Sequence, residues 1–279
     1  MKIDTFIASR IGYFKWVILL FFIVSATFFY RRQLQVPKIA PSGNIAVEEA
    51  KMAKLMSVYS EQIKSIRDNK IWFKDGTSIV YDSKQEHKDY VDSLEHADVQ
   101  DQFTQVYLPG KMNTKPARNH DPGRIRCDTF FKKMYGSTPA EVESNLEDII
   151  WCPKMVGHKI RINKRNRAAE MIKKISLELD GDTTLKPYLS KIGGSFVWRK
   201  ISGTNRNSTH SYGITIDINT SYSSYWQWDC KCTDEYALLG YTNKIPMRIV
   251  EVFEKYGFIW GGKWYHYDTM HFEYRPELL

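Results

Sequence analysis

The chain has no HExxH segment, the helical spacing that sets two imidazoles and a carboxylate on one metal, and none of its four cysteines lies in a CxxC pair. A helical zinc-protease motif and a zinc ribbon are therefore not expected. Cys127, Cys152, Cys230 and Cys232 instead allow three disulfide pairings and agree with an oxidising compartment. Internal repeats and low-complexity tracts are missing too, so neither a solenoid nor a disordered interaction tail is expected. Basic charge is sparse over most of the length. Of the formal +8, residues 1–38 hold +5, through Lys2, Arg10, Lys15, Arg31, Arg32 and Lys38 against Asp4, which leaves +3 for the rest. That balance is too mild for a phosphate-binding surface, and no nucleic acid is expected as a partner. What remains, at 43% hydrophobic and 26% charged residues, is a globular composition, and 279 residues suffice for one good-sized domain with an appendage.

The appendage is N-terminal. Residues 16–30, WVILLFFIVSATFFY, are apolar on every helical face and lie between Lys15 and the Arg31-Arg32 pair. As a helix this run spans about 22 Å, short of a hydrocarbon core of roughly 30 Å. Including Ile11–Phe14 closes the gap, provided Lys15 snorkels outward. Residues 1–32 thus read as a signal-anchor helix, or as a signal peptide with a cleavage site at Val24-Ser25-Ala26. The Phe28-Phe29-Tyr30 belt before two arginines favours the anchor. Both readings put the domain outside the cytoplasm, either held at the cytoplasmic membrane by the N-terminal helix or released to the periplasm or cell surface. Residues 33–46, with two prolines and few charges, read as a linker, and 47–279 as one domain.

Within 47–279 the pattern predicts an α+β fold, a single compact domain in which a small antiparallel sheet carries the site and helices pack against it. The spacing of Met52, Leu55, Met56, Ile63 and Ile66 predicts a helix over 47–68. IWFKDGTSIVY (71–81) reads as a hairpin turning at Asp75-Gly76, and DPGRIR (121–126) as a turn. Thr138, Pro139 and Glu141 form a capping-box start for a helix over 137–150. Further helices are expected over 165–179 and over 246–257, the latter between Pro246 and Gly257. Strands are expected over 195–201, over 213–218 and in the C-terminal FIWGGKWYHYDTMHFEY.

In STHSYGITIDIN (208–219), alternation points Ile214, Ile216 and Ile218 to one face, and Thr215 and Asp217 to the other. A carboxylate on a core strand is costly unless it meets water or a cation. His210, in a loop that can fold back over that face, brings an imidazole beside it. The other dense cluster is YHYDTMHFE, with His266, Asp268, His271 and Glu273. Catalytic zinc takes three protein ligands, keeps a position for water and is served by a carboxylate that accepts a proton. His210, Asp217 and His271 supply such ligands, and Asp268 such a base. The role of His266 stays open between ligand, transition-state stabiliser and packing. Aromatic residues flank both segments, Tyr222, Tyr225, Trp226 and Trp228 on one side and Trp260, Trp264 and Tyr265 on the other. They read equally as a core cluster and as a groove wall for a peptide stem or glycan.

The joint pattern SxHxxGxxxD, at Ser208, His210, Gly213 and Asp217, is followed by DxxHFE at Asp268, His271, Phe272 and Glu273. Together they resemble the zinc D-alanyl-D-alanine carboxypeptidase family, which includes VanY-type carboxypeptidases, VanX-type dipeptidases and phage L-alanyl-D-glutamate endolysins. The longer stretches FVWRKISGTNRNSTHSYGITIDIN and FEKYGFIWGGKWYHYDTMHFEYRPEL, with DPGRIR and FFKKMYG, are similar to a bacterial subgroup of it, and the resemblance extends over residues 70–279. It implies a Zn2+ ion held by His210, Asp217 and His271, with Asp268 as the general base. An arginine that steadies the carbonyl oxygen is implied at Arg199, with Arg206 as the competitor. Ser208 is implied in substrate contact, with Arg206 and Trp264 also taken as substrate-binding residues. Glu273 would orient a ligand imidazole or bind the substrate amine, the first being favoured. The implied chemistry is amide hydrolysis in peptidoglycan stem peptides, by a D,D-carboxypeptidase foremost and an L,D- or D,D-endopeptidase next. A catalytically silent zinc- or wall-binding module is the rival from another class. Asp268 separates the two, because a silent module has no use for a base there.

Overall fold

Short stretches of period-two hydrophobicity, each closed by a turn, build several small antiparallel sheets rather than one large one. The computed structural model describes residues 43–85 and 88–279. The segment 1–32 expected to anchor the chain or to be cleaved, and most of the linker 33–46, lie outside the described residues. Among the described residues no helix is long and apolar enough to cross a membrane. Residues Glu48–Leu279 form one compact unit of mixed helices and sheets.

Helix α1 (Gly43–Val58) leads into a meander of β1 (Ile63–Arg67), β2 (Lys70–Phe73) and β3 (Ser78–Val80). The β2–β3 hairpin turns at Asp75-Gly76 as expected, with Asp75 Oδ1 accepting from the Thr77 amide at 3.0 Å and Gly76 in the left-handed region. The expected helix over 47–68 ends early. A bulge between Ile63 and Ser65 lets two isoleucines three apart both reach the core from a strand, so their spacing imitates a helix. A short helix α2 (Tyr90–Glu95) and α3 (Asp128–Tyr135) follow.

Helix α4 (Pro139–Glu143) starts at the Thr138 cap, whose hydroxyl accepts from the Glu141 amide at 3.2 Å, but it does not run on to 150. From Leu146 the period becomes two, with Ile149 and Trp151 inward and Asp148 and Ile150 outward. The resulting β4 (Leu146–Trp151) pairs with β5 (His158–Asn163), a strand the sequence reading leaves unassigned. Helix α5 (Ala168–Leu179) packs on both strands. Cys230, the last residue of α6 (Trp226–Cys230), pairs with Cys232, while Cys127 and Cys152 are buried thiols.

The third sheet matters most. Its order is β6-β8-β7, from β6 (Thr215–Asp217), β7 (Phe258–Trp260) and β8 (His271–Tyr274). Helix α7 (Met247–Lys255) covers one face, with Phe253 stacked on Phe272 at 3.9 Å between ring centroids. Ile214, Ile216 and Ile218 are sealed into the core, each burial stabilising the fold by about 1.5–3 kcal/mol. The opposite face of β6 and β8 is thereby turned toward a cleft. The expected strand over 195–201 forms only one bridge, Lys200 with Asn207, and Gly194 just before it bridges Asp217. Its backbone bonds instead to the turn around His210, with the Ser208 amide donating to the Arg199 carbonyl at 3.0 Å.

Candidate metal centre

Strand register brings the two halves of the site together. Asp217 on β6 lies directly opposite His271 on β8, and Thr215 lies opposite Glu273, so all four side chains occupy one face. His210 arrives from a tight 3-10 turn, Thr209–Tyr212, capped by the Ser208 hydroxyl. The chain can enter β6 from that turn because Gly213 adopts φ +66°; a Cβ there would sit 2.5 Å from Leu146 Cδ2. Asp268 lies in the β7–β8 connection, where its amide donates to the Gly261 carbonyl at 3.0 Å and its carbonyl accepts from the His271 amide at 3.2 Å. That turn folds the Asp268 carboxyl back beside the ligand candidates, and its Oδ1 is buried without a hydrogen-bond partner.

Tautomers follow from the contacts. His210 Nδ1 stands 2.6 Å from the Ser195 carbonyl, an acceptor only, so Nδ1 carries the proton. His210 Nε2 then presents a lone pair. It is buried, makes no hydrogen bond and faces Asp217 Oδ2 at 3.1 Å. His271 is held from both ends, with Nδ1 3.0 Å from Asp217 Oδ1 and Nε2 3.2 Å from Glu273 Oε2. One donor atom from each of His210, Asp217 and His271 lies within 4.8 Å of the others. A lone pair turned on a carboxylate at this distance calls for a cation between them, and two imidazoles with one carboxylate are the ligand chemistry of zinc. The residues present fit a metal ion.

The electrostatics agree. Burial disfavours a charged Asp217, but positive charge at His210 and then at His271 outweighs it and holds the carboxyl well below its usual range, so this carboxylate is at ease only with a cation, proton or metal, among the three groups. Burial likewise opposes charge on His271, yet its bonds to Asp217 and Glu273 push it up to about 10. Glu273 is drawn down to about 2, against its burial, by His271, Arg126 and Arg275. Asp268 moves the other way. Desolvation, then the Asp217 charge, raises it from 3.8 to about 7. Its neighbours therefore set it apart from Asp217 as a carboxyl that trades its proton near neutrality.

These groups line a cleft of about 290 Å³ that also takes in Arg199, Arg206, Ser208 and Trp264. Every site residue named from the sequence except Glu273 faces it, and Glu273 sits behind His271. The exposed Arg199 guanidinium makes a single 3.4 Å contact to the Lys200 carbonyl, whereas Arg206 is committed to Glu95 at 2.9 Å. Of the two competitors, Arg199 has the donors to spare. Trp264 is 5% exposed, donates to the Pro122 carbonyl at 2.8 Å and lies 5.5 Å from His271 between ring centroids. It packs against the His271 imidazole, and little of it is open to the cleft. The aromatic flank thus divides, with Trp226, Trp260, Trp264 and Tyr265 buried and Tyr222 and Trp228 exposed. His266, whose role was open, is tied by Nδ1 to Asp121 at 2.7 Å and by Nε2 to the Glu235 carbonyl at 3.0 Å, which fastens the 121–124 turn to the cleft wall.

Sequence reasoning missed Arg124 and Arg126, which also line the cleft. Their signal was two arginines inside DPGRIR, a stretch read as a turn and as part of the resemblance but given no role at the site. It missed the Ser195 carbonyl as well, for which a sequence holds no signal.

Residues 202–274 match the family model described as D-alanyl-D-alanine carboxypeptidase. The matched segment contains His210, Asp217, Asp268, His271 and Glu273 but neither Arg199 nor the DPGRIR turn. It bears out the resemblance drawn from the two motifs, and supports a peptidase of that kind. No curated protein and no solved structure matches the chain.

Proposed function

We propose that the chain is a zinc-dependent peptidase that hydrolyses peptidoglycan stem peptides as a D-alanyl-D-alanine carboxypeptidase. The observation that carries this reading is the register of Asp217 against His271, with His210 Nε2 turned to the same carboxylate and Asp268 beside them. His210 through Nε2, His271 through Nδ1 and the Asp217 carboxylate would hold the ion. When bound, zinc supplies a Lewis acid and brings the pKa of a water molecule down to about 7. Asp268, which lines the cleft beside the three donors, takes a proton from the attacking water and returns it to the departing amine nitrogen. Arg199 donates to the carbonyl oxygen as it gains charge, a contribution commonly worth about 3 kcal/mol. Glu273 accepts from His271 Nε2–H and so keeps the Nδ1 lone pair turned to the Asp217 side. Ser208 lines the same cleft and would meet the peptide backbone of the substrate. On this reading the substrate lies outside the cytoplasmic membrane, where the apolar run 16–30 would retain the enzyme.

The test is incubation of the zinc-loaded protein with defined muropeptides, followed by mass spectrometry. Loss of one terminal D-alanine is expected. An internal cut would make the enzyme an endopeptidase, and no product from a fully zinc-loaded protein would make it a binding module. Less than about half a zinc per chain after reconstitution would reject the metal itself.

A further inference from the structure

Three largely buried guanidiniums line the cleft, and two of them are matched. Arg124 pairs with both oxygens of Glu235 at 2.8 and 2.9 Å, and Arg206 reaches Glu95 at 2.9 Å. Arg126 is different. Its side chain is 9% exposed, and among the described residues the nearest carboxylate oxygen, Glu273 Oε2, is 4.0 Å away. That carboxylate is already engaged by Arg275 at 2.9 Å and by His271 at 3.2 Å. One further contact runs from Arg126 Nη2 to the Asn207 carbonyl at 3.2 Å. A guanidinium carries five N–H donors in a fork that matches a carboxylate, so most of this fork is unspent at the cleft. Burial also lowers Arg126 to about 10, with Glu273 opposing and Arg206 and Arg275 adding to the shift. The protein has taken a cation out of water without giving it a close counter-charge.

We propose that Arg126 is the anchor for the C-terminal carboxylate of the substrate, which makes the cleft a reader of peptide ends and the enzyme an exopeptidase. The proposal rests on the peptidase reading above and names what that site recognises. Arg126 lines the same cleft as His210, Asp217, Asp268 and His271, so a carboxylate held there lies in the cleft that holds the reacting groups. Arg199, exposed and closer to solvent, is left for the carbonyl oxygen. An endopeptidase would gain nothing from a buried, unmatched guanidinium so near its metal.

Binding tests this apart from cleavage. The zinc-loaded protein is titrated calorimetrically with N-acetyl-D-alanine and with its C-terminal amide. The acid is expected to bind about 10- to 100-fold more tightly, as for a charged hydrogen-bonded pair. Arg126→Met should bring the acid down to the level of the amide while zinc content and melting temperature hold. Arg126→Lys, which keeps the charge but loses the fork, should lose most of the preference and decides the matter if the methionine variant misfolds. Equal binding of acid and amide by the parent protein would overturn the proposal. So would a preference that survives intact in Arg126→Lys, or one that is lost in Arg199→Met and kept in Arg126→Met. If the preference behaves as expected but no stem peptide is cut, the peptidase reading fails and the anchor stands.

Discussion

Replacing Asp268 by asparagine keeps the side-chain shape and removes one ionisable group from beside three metal-ligand candidates. Desolvation and the Asp217 charge raise this carboxyl from 3.8 to about 7, so holding it ionised in the metal-free fold costs about 4 kcal/mol. A carboxyl whose folded pKa lies above its unfolded value destabilises the fold progressively between the two, and fully once pH passes the folded value. Metal-free Asp268→Asn is therefore expected to melt with the parent near pH 4 and above it by about 10 °C at pH 8, at roughly 2–4 °C per kcal/mol. Loading with zinc should narrow that gap, because the ion offsets the same charge. Turnover should change in the opposite sense. Loss of a general base costs about 100- to 10,000-fold in kcat, while metal content is untouched because Asp268 is not one of the three donors. Scanning calorimetry across pH and steady-state kinetics on a muropeptide measure the two effects. A zinc-replete variant within tenfold of parental kcat would remove Asp268 from the mechanism. A melting difference that does not grow between pH 4 and pH 7 would refute the electrostatic account.

Three more outcomes follow from the same contacts. Glu273→Gln removes the carboxylate that fixes His271 Nε2, and should weaken zinc binding about 10- to 100-fold in a chelator competition; unchanged affinity would mean that the imidazole is oriented by packing alone. Since Asp217 and Glu273 raise His271 to about 10, zinc uptake at pH 7 should release about one proton per ion, read by calorimetry in buffers of different ionisation enthalpy, and uptake without proton release would contradict that shift. Gly213→Ala places a methyl 2.5 Å from Leu146 Cδ2 at φ +66°, and should cost about 1–3 kcal/mol and weaken zinc binding through a displaced β6; an unaltered melting temperature would show that the turn tolerates a side chain.

The ligand candidates were legible because each sits in a short period. Alternation in GITIDI puts Asp217 opposite the isoleucines, and in HFEY it puts His271 and Glu273 on one face. Pairing of Asp217 with His271 was not periodic information: it is a sheet register joining positions 54 residues apart, and only the joint motif hinted at it. Elements were misjudged where two periods coincide. Ile63 and Ile66 satisfy both a helix and a bulged strand, and LEDIIW continues a capped helix on paper while its alternation already belongs to β4. The tautomer of His210 was out of reach because its partner is the backbone carbonyl of Ser195, which any residue type could present. Arg126 was overlooked for a related reason. A turn signal explains DPGRIR locally, and only the folded chain shows that one of its arginines is buried short of a partner.

Behind the metal-ligand candidates the charges form a connected series. His271 meets Glu273, Glu273 meets Arg275 at 2.9 Å, Arg275 Nε meets Glu277 at 2.5 Å, and Glu277 accepts from the Tyr59 hydroxyl at 2.8 Å. Tyr59, Glu273 and Arg275 are each fully buried, where a lone charge would cost several kcal/mol. Each carboxylate in the series is tolerable only because cations or donors stand on both sides of it. At the open end, Asp217 adds a further negative charge, and the partners that can balance it are protons on the two imidazoles or a metal ion among them. A cation there completes a pattern that runs through the core as far as the residue following α1. Bound at a thousand times its dissociation constant, such an ion would add about 4 kcal/mol to the fold, a large share of the net stability of any domain. The register that makes the site thus also makes the ion part of the core, and the group that would polarise the substrate is the same one that lets Asp217 stay charged on a strand built of isoleucines.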